Sequence, residues 1–559
     1  MSSLEWKIDE PGGWQLDSGH FPVPLTRYFQ PILKEEFPRG FREGSRKIGL
    51  LLSHFDHAFV NGFDYNCARA VGAPKGAKGP PPFFVFKLLC WFHPEFRARL
   101  RAASATLERK AWREDLALWQ NEVRPSSTQT HLELQRTDPA VLSDDALVAY
   151  LERLRENARH QYYLHHRFTV SAFAPVGDFI AHARDWTGLG AGELLQACRQ
   201  PKGVATVASE QFDRVVQELA NSSEARALLS GNDPPSERLR ALETLSGNVG
   251  AAARDWLEMT GHRLVTGYDI VDLTALEMPE LLLRTLQAAL LPRSSALEAR
   301  QKLSARVRDA VPDKHRSDYD DLLKEALSVS SLREERALVC DFWAFGLVRR
   351  AVKEAGRRVA NAGRVRDAAH LFDASHEEML ALVRGAAGPS AGELADRYDY
   401  RTTTTCDGAP KWLGSLPASP PPVEWYPEAS QRLNRAVDAA VHALFDEPDP
   451  RAEPKLVRGL NASAGRYEGR ARVVLGPDTF ARIERGDVLV ARMTTEAYNG
   501  VMPLLGAVVT DRGGLLSHAA TVAREYGIPA VVGTQLATKT IPDGARVLVD
   551  GARGEARLV

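Results

Sequence analysis

Residues 510–533 read T-D-R-G-G-L-L-S-H-A-A-T-V-A-R-E-Y-G-I-P-A-V-V-G, and this stretch decides the fold of the C-terminal part of the chain. The apolar run from Ala507 to Thr510 (AVVT) predicts a buried strand, the chain turns through Gly513 and Gly514, and a helical stretch covers residues 516–526. A second apolar run, AVV at 530–532, predicts the next strand. His518 therefore falls in the first turn of a helix, shortly after two residues with no side chain to block approach. A helix start offers free N–H groups and partial positive charge, a favourable place for a phosphate. A neutral imidazole is a competent nucleophile near pH 7, and phosphoryl transfer asks mainly for positioning and for donors around the oxygens. A lone histidine after a Gly-Gly turn equally fits a cap or a surface residue, and the local pattern leaves both readings open.

Working outward, DVLVA at 487–491 and VLVD at 547–550 predict further strands, and glycine-punctuated β-type runs occupy 459–475. Strands alternating with helices define a compact α/β unit of about a hundred residues. Upstream lies a break, DEPDPRAEPK at 446–455, then one helix at 430–445, then a run at 401–427 that contains Pro417, Pro420, Pro421 and Pro422. From about residue 46 to 384 the periodicity is helical, with segments at 144–166, 216–229, 280–291, 296–311, 332–355 and 375–383. The first 40 residues, rich in aromatics, Gly and Pro, read as extended or irregular chain. The expected architecture is multi-domain: a large, mostly α-helical body over 1–410, a Pro-rich linker with one helix over 411–456, and a small α/β domain over 457–559. The two Pro-containing breaks predict that the small domain is mobile.

The chain has 559 residues, room for roughly two to four domains. It is 44% hydrophobic and 26% charged, with 71 Lys plus Arg against 72 Asp plus Glu. That balance gives no support to a nucleic-acid or membrane-surface partner. Five cysteines without a CxxC pair argue against a disulfide scaffold or zinc knuckle. Residues 1–30 carry no apolar signal-type core, and no apolar window has the length of a membrane span. These features predict a cytoplasmic protein.

The string GGLLSHAATVAREYGIPAVVGT, with GDVLVARMTT before it and IPDGARVLVDGARGEARLV after it, resembles the phosphohistidine (swivelling) domain of the phosphoenolpyruvate-utilising enzymes. That family includes phosphoenolpyruvate synthase, pyruvate phosphate dikinase and rifampicin phosphotransferase. The resemblance covers residues 457–559. It implies that His518 becomes phosphorylated and swings between a donor and an acceptor site, with Gly513, Gly514, Ser517 and Ala519 around the phosphate. Arg524 and Glu525 would orient the helix or form a solvated charged pair. Leu516 stands where many members have Thr, and Thr494-Thr495-Glu496-Ala497-Tyr498-Asn499 replaces a Pro-rich stretch. These departures shift the match toward the antibiotic and aryl phosphotransferase branch.

Family members draw phosphate from an ATP-grasp domain or a phosphoenolpyruvate-binding barrel. Residues 1–455 show neither strand–helix alternation with Gly-rich loops nor a GxxxxGK[ST] motif. The resemblance thus implies a separate ATP-grasp loading partner, as in phenylphosphate synthase, with ATP and Mg²⁺ expected at that partner and no cofactor bound permanently here.

The helical body resembles, more weakly, the middle acceptor-binding domain of rifampicin phosphotransferase and its relatives, through Gly261-His262-Arg263, Gly267-Tyr268-Asp269 and Leu276-Glu277-Met278-Pro279-Glu280. The start of the chain, Trp14, Asp17 and His20-Phe21-Pro22, looks like that of standalone members. Acceptor-side candidates are therefore Arg263, His262, Asp269 and His20, each also readable as an ordinary surface or core residue. His54 and His57 in SHFDH would share a helical face at i,i+3 spacing, a conceivable metal pair that more often is solvated or satisfied in a core. No metal site is expected. The expected function is delivery of a phosphoryl group from His518 to a small organic hydroxyl acceptor, aromatic or antibiotic-like. The alternatives are a phosphorylation-assisted dehydratase and a non-catalytic carrier or regulatory protein.

Overall fold

The computed structural model describes residues 4–198, 209–290, 304–416, 419–445, 453 and 455–559. Its contacts divide the chain into two compact units. The first comprises Met1–Ala172, Gly267–Asp272 and Arg336–Arg435; the second comprises Phe173–Thr266, Leu273–Glu335 and Ala436–Val559. This division does not follow the expected boundaries at 410 and 456. Part of the helical body packs with the C-terminal sheet: Gln196 Nε2 donates to the Ala462 carbonyl at 3.1 Å, and Arg284 Nη1 to that of Phe480 at 3.2 Å.

The first unit is not purely helical. Strands β1 (Gly13–Leu16), β2 (Leu52–Val60), β3 (Phe63–Ala70) and β4 (Trp412–Gly414) form a sheet in the order β2-β3-β1-β4. The helical expectation for residues just after 46 is thereby overturned. β2 and β3 pair antiparallel with Val60 opposite Phe63, joined by Asn61 and Gly62 at φ 52° and 80°. Two positive φ angles in a two-residue loop match the twist of the strands they join. The irregular reading of residues 1–40 fails in part as well, because a helix begins at Phe29 and runs to Ile48. Pro31 lies in its first turn, where a missing N–H costs nothing. Gly40 and Gly44 are there for close approach: a Cβ would sit 2.3 Å from the Tyr163 carbonyl oxygen and 2.2 Å from that of Arg167. The partner is the long helix Asp144–Arg167, capped by Ser143, whose side chain accepts from the Ala146 amide.

In the second unit, β5 (Leu456–Arg458), β6 (Leu460–Ser463), β7 (Arg466–Val474), β8 (Val488–Ala491), β9 (Ala507–Thr510), β10 (Ala530–Val532), β11 (Arg546–Asp550) and β12 (Glu555–Leu558) form one sheet, ordered β5-β12-β11-β7-β8-β9-β10-β6. The run β7-β8-β9-β10 is parallel. Every residue of β8, β9 and β10 is buried, as expected for parallel strands covered on both faces. The helix His518–Tyr526 is the crossover between β9 and β10, as the sequence pattern anticipates. A mostly helical body with a C-terminal α/β domain is the architecture of the chain. The expected helix at 296–311 falls partly outside the described residues, and most of the 446–455 break lies there too.

Candidate functional site

β9 ends at Thr510, and the chain reaches the next helix through Gly513 and Gly514. Gly513 has φ 107°, and a Cβ on it would meet Ser517 Oγ at 2.9 Å. A Cβ on Gly514 would lie 2.2 Å from the Leu444 carbonyl oxygen, and the Leu516 amide donates to Ala443 O at 3.2 Å. Gly514 thus serves the seating of this turn on the end of the helix Glu428–Phe445. Ser517 is the N-cap, its Oγ accepting from the Ala520 amide at 3.4 Å. The amides of His518 and Ala519 precede the first intrahelical hydrogen bond, Thr521 N to Ser517 O at 2.9 Å, so they belong to the helix start that favours anions.

His518 is the first helical residue and is partly buried. Both ring nitrogens meet neutral partners: Nδ1 lies 2.8 Å from Thr494 Oγ1, and Nε2 lies 3.0 Å from Asn499 Oδ1. With Asn499 accepting from Nε2–H, Nδ1 accepts from the Thr494 hydroxyl. Burial lowers the imidazole to about 4, with the Glu334 carboxylate offsetting only part of the effect. The ring is therefore neutral and nucleophilic at pH 7.

Thr494 and Asn499 are site residues that stand out in the sequence only as a departure from a family pattern. They lie 24 and 19 positions before His518, and the fold alone brings them to it. Their loop is fixed within the unit. Thr495 Oγ1 donates to the Val265 carbonyl at 2.6 Å, and a Cβ on Gly500 would strike Leu281 Cδ1 at 2.7 Å. Arg524 and Glu525 are buried, 4% and 9% exposed, which overturns a solvated pair. Arg524 Nη1 donates to the Ala462 carbonyl at 3.0 Å, tying the helix to β6.

Residues 483–554 match the family described as PEP-utilising enzyme, mobile domain. That match takes in β8, β9, the helix that begins at His518, β10 and β11. Residues 165–354 match the rifampicin phosphotransferase fourth domain. Chondramide synthase cmdD of Chondromyces crocatus is 27% identical over 493 residues, covering 83% of this chain and 12% of that one. The uncharacterised phosphotransferase YvkC of Bacillus subtilis is 25% identical, covering 62% of this chain and 41% of its own length. Rifampicin phosphotransferase of Streptomyces sp. is 46% identical over 101 residues, 18% of this chain and 12% of that one. The chain thus spans between 12% and 41% of the length of these curated relatives.

The acceptor-side candidates separate between the units. Arg263 and His262 belong to the same unit as His518. Arg263 is 3% exposed, and its backbone joins a short antiparallel ladder, its carbonyl accepting from the Ala275 amide at 3.0 Å. That packing argues for a structural part. Asp269 and His20 lie together in the first unit. Asp269 accepts from Thr26 N and from Thr26 Oγ1, both at 2.7 Å, and burial raises its carboxyl to about 6. It anchors the loop carrying Tyr268, whose ring stands 5.8 Å from that of His20.

His54 and His57 sit on β2, not on a helix, so i,i+3 spacing sends their side chains to opposite faces. His54 Nε2 engages Asp56 at 3.1 Å, and His57 Nδ1 engages Asp64 at 3.0 Å. Among the described residues no group of three or more His, Cys, Asp or Glu is placed to hold a metal ion, and no helix is long and apolar enough to cross a membrane.

Proposed function

We propose that the chain is a phosphoryl carrier: His518 takes a phosphoryl group from a separate ATP-grasp partner and passes it to a small hydroxyl acceptor held by the helical part of the chain. The observation that carries this reading is a neutral histidine at a helix start, its ring hydrogen-bonded by Thr494 and Asn499, with a glycine turn before it. Phosphorylation at Nε2 requires the ring proton to move from Nε2 to Nδ1, where the Thr494 hydroxyl turns to accept it, and Asn499 to release Nε2 so that its lone pair can attack phosphorus. Rotation of the Asn499 amide would then present N–H donors to the phosphoryl oxygens. Thr494 stays on Nδ1 and accepts from Nδ1–H when the group departs, so the ring leaves as neutral imidazole. Ser517, engaged as the helix cap, steadies the turn, while the amides of His518 and Ala519 face the anion. ATP and Mg²⁺ belong to the loading partner in this scheme.

Acid-labile labelling tests it. With β-labelled ATP, γ-labelled ATP or labelled phosphoenolpyruvate, alone and with host lysate, the native chain should take label from β-ATP only when lysate is present, and His518→Ala should take none. Absence of label from every donor would sink the carrier reading. A second reading is elimination of the phosphate after transfer, within a biosynthetic pathway; one relative that matches 83% of the chain is a synthase. Loss of water from the acceptor, in place of a stable phosphoester, would select it.

A further inference from the structure

The first unit gathers three histidine–aspartate pairs from widely separated parts of the chain. His20 Nδ1 lies 3.0 Å from both oxygens of Asp17. His57 Nδ1 lies 3.0 Å and 3.1 Å from those of Asp64, and His165 Nδ1 lies 2.6 Å from Asp341 Oδ2. The fold brings them together for traceable reasons. β1 runs beside β3, and the Asp17 amide donates to the Asp64 carbonyl at 3.0 Å. The Gly40 and Gly44 contacts draw the end of the helix Asp144–Arg167, and with it His165 and His166, against the helix that carries Phe37, whose ring is 3.8 Å from that of His166. Asp341 sits in the widened helical turn Ala337–Trp343, an irregularity that frequently accompanies functional positions.

Structural ion pairing does not account for the cluster. His57, His166 and Asp341 are 6%, 8% and 3% exposed. Yet among the described residues His57 Nε2, His165 Nδ1, both ring nitrogens of His166 and Asp341 Oδ1 find no partner in hydrogen-bonding geometry. Buried polar atoms without partners cost folding stability, so such a concentration of them calls for an explanation other than packing. Such a group is set up to meet polar atoms that the chain itself does not supply. The side chain of His20 is 48% exposed, so it is the member that a ligand reaches first. Aromatic rings border it: Tyr268 stands edge-on at 5.8 Å from His20, backed by the buried Phe342 at 5.2 Å from Tyr268, and the buried Phe21 lies 6.0 Å from His20.

We propose that His20, its Nδ1 held by Asp17, is the general base of a hydroxyaromatic acceptor site in the first unit, with the His57–Asp64 and His165–Asp341 pairs behind it. This rests on the carrier reading for the source of the phosphoryl group. The aspartate fixes the tautomer that leaves the Nε2 lone pair available and stabilises the imidazolium once formed. In the transfer step the acceptor hydroxyl gives its proton to His20 Nε2 as its oxygen forms the P–O bond. The P–N bond at His518 breaks, its electron pair staying on the ring nitrogen, while the other nitrogen keeps its proton. Asp17 raises the affinity of His20 for that proton, and Asp64 adds to the effect. The titratable groups facing His20 are Asp17, Asp64, His165, His166 and Tyr268.

Two measurements on the full chain test this, with 2-naphthol as the hydroxyaromatic probe. First, 2-naphthol should protect His20 from carbethoxylation by diethyl pyrocarbonate at least tenfold better than 2-methoxynaphthalene, read by peptide mass spectrometry. Asp17→Asn should lower the pH midpoint of that carbethoxylation. Second, His518 is loaded chemically with phosphoramidate and its discharge to naphthyl phosphate is followed. His20→Gln, a change at a half-exposed position, should load like the native chain and discharge about 100-fold more slowly. Equal discharge by His20→Gln would overturn the base. Absence of protection by 2-naphthol would overturn the acceptor site, whether or not His518 loads. Failure of phosphoramidate to load His518 speaks against the carrier reading, and the protection experiment still decides the acceptor site.

Discussion

The two histidine sites of this chain are built on opposite electrostatic plans. His518 has an alcohol and an amide on its ring nitrogens and is held neutral by burial. His20 has a carboxylate on one nitrogen and is drawn toward protonation. A nucleophile that must carry a dianionic phosphoryl group is best served by neutral partners, because a carboxylate beside it would repel the incoming charge. A base that must take up a proton is best served by an anion that stabilises the cation formed. The same side chain is thus set to two tasks by what touches its second nitrogen.

The largest expected effect comes from giving one site the plan of the other. Asn499→Asp places a carboxylate 3.0 Å from His518 Nε2. Phosphorylation of His518 should then fall about 100-fold or more, the scale of a lost stabilising donor at a developing oxyanion. Label incorporation at fixed donor concentration reads it, and unchanged incorporation would break the contrast between the sites.

The second effect is thermodynamic. Because His518 is depressed to about 4 when folded, the unfolded chain binds its proton more tightly. Stability therefore rises as pH climbs from about 4 to 6.5 and is fully present above the unfolded value. The shift corresponds to as much as about 3 kcal/mol. His518→Gln should flatten the urea-denaturation midpoint across that window by this amount, and a variant as acid-sensitive as the native chain would show that burial at this site does not hold the ring neutral.

The two regions also differ in how much the sequence revealed. In the C-terminal sheet region, strand, turn, cap and helix follow one another within 510–533, so local pattern reports local structure, and His518 stands at the helix start as that pattern predicts. Thr494 and Asn499 were not identified, because only the loop docking through Thr495 and Gly500 aims them. In the first unit the signals conflict. Pro31, Pro38, Gly40 and Gly44 read as helix breakers, yet the glycines are required by a helix–helix contact that the sequence does not display. The β2–β3 hairpin carries its own signal, Val60-Asn61-Gly62-Phe63 between apolar residues, but the helical periodicity around it masks that signal. With it went the pairing of His57 with Asp64. His20 entered the candidates through a family resemblance, and its partner Asp17 did not, although the two stand three residues apart.

The helix–helix contact offers the third test. Gly40→Ala pushes a methyl group to 2.3 Å from a backbone oxygen that no rotamer change can move. The cost should be about 2–3 kcal/mol, the upper part of the usual overpacking range, measured by urea denaturation. Since this contact also sets the position of His165 and His166, the variant should lose protection of His20 by 2-naphthol while still loading phosphate on His518. Loss of both together would mean that the two regions are not separable in function.

The smallest effect probes the anchor of the Tyr268 loop. Asp269 accepts three hydrogen bonds, from Thr26 N, Thr26 Oγ1 and its neighbour Ile270 N, each at 2.7 Å. An asparagine retains one acceptor oxygen and turns an N–H group toward a donor, so Asp269→Asn should cost about 1 kcal/mol. The pH dependence distinguishes the anchor from simple packing. The Asp269 carboxyl is raised to about 6 in the folded chain, which means that the folded form holds its proton more tightly than the unfolded one. Its contribution is greatest below the unfolded value near 4 and declines as pH rises through about 6. An asparagine does not titrate, so the stability gap between native and variant should narrow from pH 4 to pH 7. A gap that stays constant would show that the Thr26 hydrogen bonds, which favour the ionised carboxylate, outweigh burial at this position, and the loop beside His20 would then be held by a charge in place of a shared proton.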